Sequence, residues 1–312
     1  MKKVFLFLLI LLLTFGSIYS KNLRLEKEID LSFLLKPYQP YLAYVAVDSN
    51  GFIFITQRGL DTFLKLDHTG EIVLKASQII EGEITRFDID SNGNPVCLLA
   101  GRMTPKYFYL PLVWFDGISG QKIREINLGE MFNLVTHFQI LKPNDLILVN
   151  GIAKDVKLPR NSLHLLDFNL NLIKSFSPLK EQLGDTPSLI DKNPDYFAVA
   201  PKFDPDNQII FQAFPGAGLI RYFDLNGNQV GETEWVGRNV FLVHTGDLWF
   251  KDKDGFMVFK KKGNRFEPAG LSLKEDKGSS TPGYPVAQDT SGRIYFLGGD
   301  KSQTLKIYVL EN

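Results

Sequence analysis

The sequence has little cysteine, no net charge and no helical patterning, and each shortage excludes a class of protein. One of its 312 residues is cysteine, so no internal disulfide can stabilise the fold. Lys and Arg number 35, as do Asp and Glu, which excludes a polycationic nucleic-acid binder. The 44% hydrophobic content excludes a disordered chain. No long, capped helical pattern follows residue 20, which excludes folds that alternate strands with helices.

Common catalytic signatures are missing as well. The sequence contains no Gly-x-Ser-x-Gly elbow, no His-Glu-x-x-His pair and no Walker loop. The thiol, Cys97, lies in the apolar run 96–99, and we expect it to be buried and inert rather than nucleophilic.

The first twenty residues have the pattern of a secretory signal peptide. Lys2 and Lys3 precede an apolar run at 4–13, and Ile18 and Ser20 stand where a cleavage site requires small or apolar residues. We predict a signal peptide at 1–20 and export to the periplasm or the cell exterior. The apolar run is shorter than the roughly 20 residues that cross a bilayer, so we expect no stable membrane insertion. An uncleaved anchor is the alternative.

The rest of the chain repeats one pattern: an apolar strand, a tight turn rich in Asp, Asn and Gly, and a second apolar strand. Such turns, flanked by β-branched and aromatic residues, indicate hairpins. A second hairpin usually follows, for example at 63–74 and 220–230. Six repeats of about four strands predict an all-β fold, a six-bladed β-propeller of four-stranded antiparallel blades, over 21–312 as one domain. The six turns lie at 48–51, 90–93, 142–145, 204–207, 244–247 and 289–292.

The two ends of the predicted domain complement each other. The sixth repeat stops after its third strand, at 305–310, whereas residues 23–31 resemble the fourth strand of other repeats. We therefore predict that the N-terminal strand pairs with the last blade, which closes the ring and removes an exposed edge.

Residues 45–55 (VAVDSNGFIFI) and 63–71 (FLKLDHTGE) resemble a repeat of the NHL-repeat and TolB-like six-bladed β-propellers of exported bacterial proteins. The resemblance covers nearly all of 22–312 and implies the fold, whereas such propellers include both binding modules and enzymes. The lactonase-type hydrolases of this architecture surround a central divalent metal with Glu, Asn, Asp or His. The repeat alignment instead places Tyr44, Arg86, His137 and Tyr284 near the channel mouth, which departs from that pattern.

Two groups of residues are candidates for a ligand site on the face where the innermost strands begin. Tyr44, Arg86 and His137 occupy equivalent positions at the channel mouth, with Lys202, Arg238 and Asn239 nearby. Alternatively, these side chains only bind one another or water. Two longer loops, 101–111 and 151–161, add basic and aromatic residues that suit an anionic ligand, unless they are ordinary solvated side chains. The predicted loop contributors are Arg102, Lys106, Tyr107, Tyr109, Lys157 and Arg160.

We predict no cofactor, with calcium as a weaker alternative. Asp88, Asp90 and Asn92 match the start of a calcium loop, but the position that should carry a closing Glu is Leu99. Asp and Asn also stabilise tight turns without a metal.

These observations favour a monomeric, non-catalytic binding protein or scaffold that recognises an anionic protein, peptide or glycan on this face, and no nucleic acid. The alternative is a hydrolase or lyase at the channel mouth, with His137 as general base and Arg86 holding an oxyanion. A structural subunit of an envelope assembly is a third possibility.

Overall fold

The computed structural model describes residues 23–36, 43–76, 82–105, 108–142, 144–154, 161–178, 200–214, 219–234, 240–242, 248–252, 255–262, 265–273, 283–298 and 303–310. The predicted signal peptide lies outside these ranges. The described residues are mainly β-strand, with one short 3₁₀ helix at Leu128–Glu130. Within these ranges, no helix has the length and apolar character needed to cross a membrane.

The first half of the chain forms three four-stranded antiparallel sheets after an initial strand, β1, at Leu23–Asp30. Sheet 1 consists of β2 (Ala43–Val47), β3 (Ile53–Gln57), β4 (Phe63–Leu66) and β5 (Ile72–Ala76). Sheet 2 and its inserted hairpin, β8–β9, consist of β6 (Ile84–Ile89), β7 (Pro95–Leu99), β8 (Arg102–Met103), β9 (Phe108–Tyr109), β10 (Pro111–Phe115) and β11 (Lys122–Asn127). Sheet 3 consists of β12 (Phe132–Leu141), β13 (Leu146–Ala153), β14 (Asn161–Leu166) and β15 (Leu172–Pro178).

The second half forms three further four-stranded sheets. Sheet 4 consists of β16 (Lys202–Asp204), β17 (Ile209–Phe214), β18 (Leu219–Asp224) and β19 (Gln229–Glu234). Sheet 5 consists of β20 (Val240–Leu242), β21 (Leu248–Asp252), β22 (Gly255–Lys262) and β23 (Arg265–Leu273). Sheet 6 consists of β24 (Tyr284–Gln288), β25 (Ile294–Gly298), β26 (Thr304–Leu310) and the N-terminal β1.

The N-terminal strand is the fourth strand of sheet 6. It pairs antiparallel with β26, in a register that places Leu25 opposite Tyr308 and Ile29 opposite Leu305. Salt bridges from Glu26 to Arg293 at 2.7 Å and from Glu28 to Lys306 at 3.4 Å add to the backbone pairing. The predicted contact between the two ends of the chain is therefore confirmed.

Apolar clusters fill the space between successive sheets. The cluster between sheets 1 and 2 contains Phe54, Phe63 and Phe115, all with 1% exposure or less. Equivalent clusters join sheets 2 and 3, 3 and 4, 4 and 5, and 5 and 6. Another contains Ile29 and Leu31 and joins sheet 6 to sheet 1. The first strands of sheets 1 and 2, 2 and 3, 4 and 5, and 6 and 1 also contact one another. The fold is therefore an all-β propeller of four-stranded antiparallel sheets.

Aspartates at the turns explain why the sequence pattern predicts the strands well. The carboxylate of Asp48 accepts hydrogen bonds from the backbone N–H groups of Asn50 and Phe52, both at 2.9 Å. The glycine of the same turn, Gly51, has φ +81°, a conformation that other residues rarely adopt. The predicted turns at 90–93 and 289–292 repeat this arrangement. The predicted turn at 244–247 lies outside the described residues.

His164 is a buried polar residue of sheet 3, with 2% exposure. Its Nε2 lies 3.3 Å from the Gly151 carbonyl oxygen and its Nδ1 lies 2.8 Å from the Ser175 hydroxyl. A carbonyl can only accept, so the neutral ring with a proton on Nε2 satisfies both contacts. Burial lowers the pKa of His164 from the ordinary value of 6.5.

The buried His164 should make stability depend on pH. Below pH 6.5 the unfolded state binds this proton and the folded state resists it, so the free energy of unfolding should fall on acidification until the lowered folded pKa is reached. The slope for one proton is at most about 1.4 kcal/mol per pH unit. Urea unfolding between pH 7 and pH 5 measures it. His164→Gln should remove this contribution and His68→Gln, in an exposed turn, should retain it; equal slopes in all three proteins would contradict the assignment.

Candidate functional site

A cavity opens on the upper face, which we define as the end of the sheets where the innermost strands β2, β6 and β12 begin. Its volume is about 320 Å³, at the small end of the range for ligand pockets. It lies between sheets 2 and 3 and is bounded by the β3–β4 loop and by the inserted hairpin. The lining residues are Arg58, Thr85, Arg86, Gly101, Phe108, Leu110, Leu134, Val135 and Thr136.

Arg86 is the best-anchored charge in this cavity. Its Nη1 donates to the Tyr44 hydroxyl oxygen at 3.0 Å and to the Thr85 carbonyl at 2.7 Å. The Tyr44 hydroxyl donates to the same carbonyl at 2.5 Å, so the guanidinium is held from two sides. Within the described ranges, Nη2 of Arg86 makes no hydrogen bond. Its Nε is buried and has no hydrogen-bond acceptor among the same residues. Tyr44 and Arg86, which the repeat alignment pairs, are thus in contact.

Arg58 is the second cation of the cavity, and the repeat pattern of the sequence did not single it out. It lies in the loop after β3, is exposed, and makes no hydrogen bond or ion pair with any described residue. In the described part of the chain, no acidic side chain lines the cavity alongside these two arginines. The site is therefore electropositive and suited to an anion.

Two threonines complete the polar part of the lining. The Thr85 hydroxyl donates to the Leu98 carbonyl at 2.9 Å, and the Thr136 hydroxyl donates to the Asn150 carbonyl at 3.1 Å. A hydroxyl has one proton, so neither group can donate to a ligand while these bonds persist. The arginines are consequently the hydrogen-bond donors that this lining offers to an anion.

Phe108, on the inserted hairpin, forms part of the apolar side of the cavity. A Cβ atom on Gly101 would lie 2.5 Å from the ring, so this ring position requires glycine there. Asn127 supports the hairpin from below, because its side-chain oxygen accepts from the N–H groups of Leu110 at 2.8 Å and Gly129 at 3.0 Å. The sequence shows the aromatic run 107–109, but the predicted contributors were Tyr107 and Tyr109 rather than Phe108.

The upper end of β12 carries the remaining apolar lining. The register of β12 against β13 shifts twice, between Phe132 and Leu134 and between Val135 and His137. Such bulges bend a strand and redirect its side chains. His137 is half-buried beside the lining residue Thr136 but is not itself among the residues that line the cavity.

The structure does not bring Arg102 and Tyr109 into the cavity. The Arg102 guanidinium stacks on the Tyr109 ring at 5.0 Å from its centroid, and the Tyr109 hydroxyl contacts Glu125 on the outermost strand of sheet 2. This pair therefore lies on the outer side of the β8–β9 hairpin, next to β11. Four other predicted contributors, Lys106, Tyr107, Lys157 and Arg160, lie outside the described residues, as do Arg238, Asn239 and the side chain of Tyr284.

A second group of charges consists of Asp88 on β6, Lys142 just after β12 and Lys202 on β16. The Asp88 carboxylate accepts from the Ile140 N–H at 2.7 Å and from the Ile89 N–H at 2.9 Å. Burial raises the pKa of Asp88, although Lys142, the hydrogen bonds and Lys202 oppose this. Burial also lowers the pKa of Lys202, opposed by Asp88. Asp88 thus connects β6 to β12 through a hydrogen bond. It also interacts electrostatically with Lys142, just after β12, and with Lys202 on β16.

The carboxylates proposed for calcium have protein partners. Asp88 binds the backbone of sheet 3, while Asp90 accepts from the N–H groups of Asn92 at 2.9 Å and Asn94 at 2.8 Å. Within the part of the chain that the structure describes, no three His, Cys, Asp or Glu side chains lie close enough together to hold a metal ion. Cys97 is buried, as the sequence predicts, and burial raises the pKa of its thiol.

Comparison with known proteins supports the propeller and goes no further. No protein-family model and no curated protein sequence matches the chain. A gluconolactonase from Xanthomonas campestris shares 13% identity, with TM-score 0.52, over 91% of this chain and 89% of its own. A catalytically inactive variant of virginiamycin B lyase from Staphylococcus aureus, with quinupristin, shares 13% identity, with TM-score 0.51, over 93% and 100%. A chain of the mitotic checkpoint complex shares 8% identity, with TM-score 0.52, over 93% and 95%.

These three proteins differ in function but share the fold. At such identities the likeness establishes a β-propeller and carries no catalytic residue from one chain to another. The NHL-repeat or TolB-like assignment stays a prediction from the sequence.

Proposed function

We propose that the chain is an exported, monomeric six-bladed propeller that binds the anionic group of a protein, peptide or glycan in the upper-face cavity. One observation carries this: Arg86, held by Tyr44 and Thr85, shares a cavity with Arg58. Among the residues that the structure describes, Arg58 has no ion-pair partner and no acidic side chain lines that cavity. A guanidinium fixed in advance binds a carboxylate with less loss of side-chain entropy than a free one.

The proposed ring takes its support from the packing. Six four-stranded sheets are present, successive sheets share apolar clusters, and β1 pairs with β26 while Leu31 packs into the cluster with sheet 1. Export is proposed on the pattern of residues 1–20 alone.

A hydrolase or lyase is the second candidate function. In its favour, two of the structural neighbours are a lactonase and a lyase, and His137 lies beside a residue that lines the cavity. In that case His137 would be the general base and Arg86 would hold an oxyanion. Among the described residues, no group of three His, Cys, Asp or Glu side chains could hold a metal ion.

Binding of acidic probes to the Arg86→Gln variant tests the proposal. The probes are a hexaglutamate peptide and a galacturonate oligosaccharide, and each is compared with a neutral counterpart by calorimetry. The titrations are made at about 50 mM and about 500 mM salt, because salt weakens binding that depends on charge. Arg86→Gln should weaken binding of the acidic probes about 10- to 100-fold, because it removes a charge-assisted hydrogen bond. The matched control, Arg102→Gln, should change binding less than about twofold, because that guanidinium stacks on Tyr109 outside the cavity.

Two outcomes would contradict binding at this cavity. Equal weakening by Arg102→Gln would move the site to the outer side of the hairpin, and no binding of either acidic probe would reject the proposed function. Turnover of a lactone and glycoside panel by the wild type, abolished in His137→Ala, would replace it with the enzymatic alternative.

A further inference from the structure

The lining of the upper-face cavity has two chemically different ends. Arg58 and Arg86 come from sheets 1 and 2 and supply the positive charge. The hairpin and the start of β12 contribute the apolar lining through Phe108, Leu110 and Leu134, with Leu110 6% exposed and Leu134 39% exposed. A ligand that uses the whole cavity must therefore carry a negative group and an apolar group side by side.

The hydrogen-bond donors favour a carboxylate over a phosphate. A carboxylate presents two oxygens in a plane, which the forked geometry of a guanidinium matches. A phosphate has three terminal oxygens and a larger charge, and phosphate sites usually add backbone N–H groups or a helix N-terminus. Here both threonine hydroxyls donate to strand carbonyls, and the cavity is lined by strand ends and loops rather than by a helix start.

The apolar end favours a flat group of modest size. The Phe108 ring lies against Gly101, whose lack of a side chain leaves the ring in place beside the cavity. Aromatic rings pack against other rings in offset or edge-on arrangements. A volume of about 320 Å³ is suited to one ring with its attached acid rather than to a long segment.

We propose that the cavity binds a carboxylate attached to an aromatic group, in the form that a peptide ending in phenylalanine presents at its C terminus. The carboxylate lies between Arg58 and Arg86, and the ring packs against Phe108. This rests on the proposed function, since it names the group that the upper-face cavity takes.

Five small probes test the charged and apolar parts separately on the full-length protein. They are N-acetylphenylalanine, its neutral amide, N-acetylglycine, benzoate and phenyl phosphate, each titrated by calorimetry or by ligand-observed NMR. N-acetylphenylalanine should bind at least about tenfold more tightly than the amide, which lacks the charge, and than N-acetylglycine, which lacks the ring. It should also bind more tightly than phenyl phosphate.

Two variants locate the effect in the cavity. Gly101→Ala displaces the Phe108 ring, so it should weaken N-acetylphenylalanine more than N-acetylglycine. Arg58→Gln should weaken both acids. Because the probe comparison already works on the wild type, the proposal stays testable even where a variant does not fold.

The outcomes separate this inference from the proposed function. Equal binding of N-acetylphenylalanine and N-acetylglycine, or tighter binding of phenyl phosphate, would overturn the aromatic carboxylate and leave an anion site. Equal binding of the amide would overturn the carboxylate. Tight binding of benzoate with none of N-acetylphenylalanine would assign the cavity to a free aryl acid instead of a peptide terminus. Binding of no probe, together with no binding of hexaglutamate or galacturonate, would reject the proposed function itself.

Discussion

A chain that begins at Ser32 should lose cooperative folding, whereas a chain that begins at Leu23 should keep it. The shorter chain lacks β1, which contributes seven aligned residue pairs with β26 and the buried side chain of Ile29, and it also lacks the buried Leu31. Burial of each of these two side chains contributes about 1.5–3 kcal/mol. The loss of both, together with the strand pairing, approaches the total stability of about 5–15 kcal/mol that most domains have.

Urea unfolding followed by circular dichroism measures this difference, and size-exclusion chromatography shows whether the uncovered edge of β26 causes association. A peptide of residues 21–31 added to the shorter chain should restore the cooperative transition. An unchanged unfolding midpoint in the shorter chain would show that β1 does not close the propeller, and the proposed ring would be rejected.

Asp88→Ala should destabilise the protein by about 2–3 kcal/mol, through two effects at one position. The Ile140 N–H loses its acceptor at 2.7 Å, and the half-buried Lys202 loses its neighbouring negative charge. Asp88→Asn keeps an acceptor for Ile140 and removes only the charge, so it should cost about half as much.

The free energy of unfolding in urea, measured at neutral pH, distinguishes these variants. Asp61→Ala is the matched control, since Asp61 is exposed and makes no hydrogen bond or ion pair within the described residues, and it should change stability by less than about 0.5 kcal/mol. If Asp88→Ala is as stable as this control, Asp88 does not join the innermost strands.

The strands were predictable because their information is local. An Asp carboxylate that accepts from the N–H groups two and four residues later, with a glycine of positive φ between them, specifies a turn without help from the rest of the chain. The pairing of β1 with β26 was predictable for a different reason, since the last repeat lacks a fourth strand and the N terminus has an unused one.

The site was only partly predictable. Tyr44 and Arg86 occupy equivalent positions in neighbouring repeats, so alignment brings them together, as the 3.0 Å contact shows. Arg58 carries a signal that was available, because it follows the second strand of its repeat and such loops lie on the upper face. Arg102 and Tyr109 were selected by charge and aromaticity alone, and these do not say which side of a hairpin a side chain occupies.

The amino-acid sequence by itself determined the strands, their turns and the antiparallel sheets, because hydrogen bonds within a few residues and short apolar runs define those features. The tertiary structure alone decided that Arg58 and Arg86 share a cavity with Phe108 and that Asp88 reaches the backbone of the next sheet. Those contacts join residues up to 52 positions apart, and they depend on how far each sheet is rotated against its neighbour. Side-chain packing between sheets sets that rotation, and no local pattern in the sequence records it.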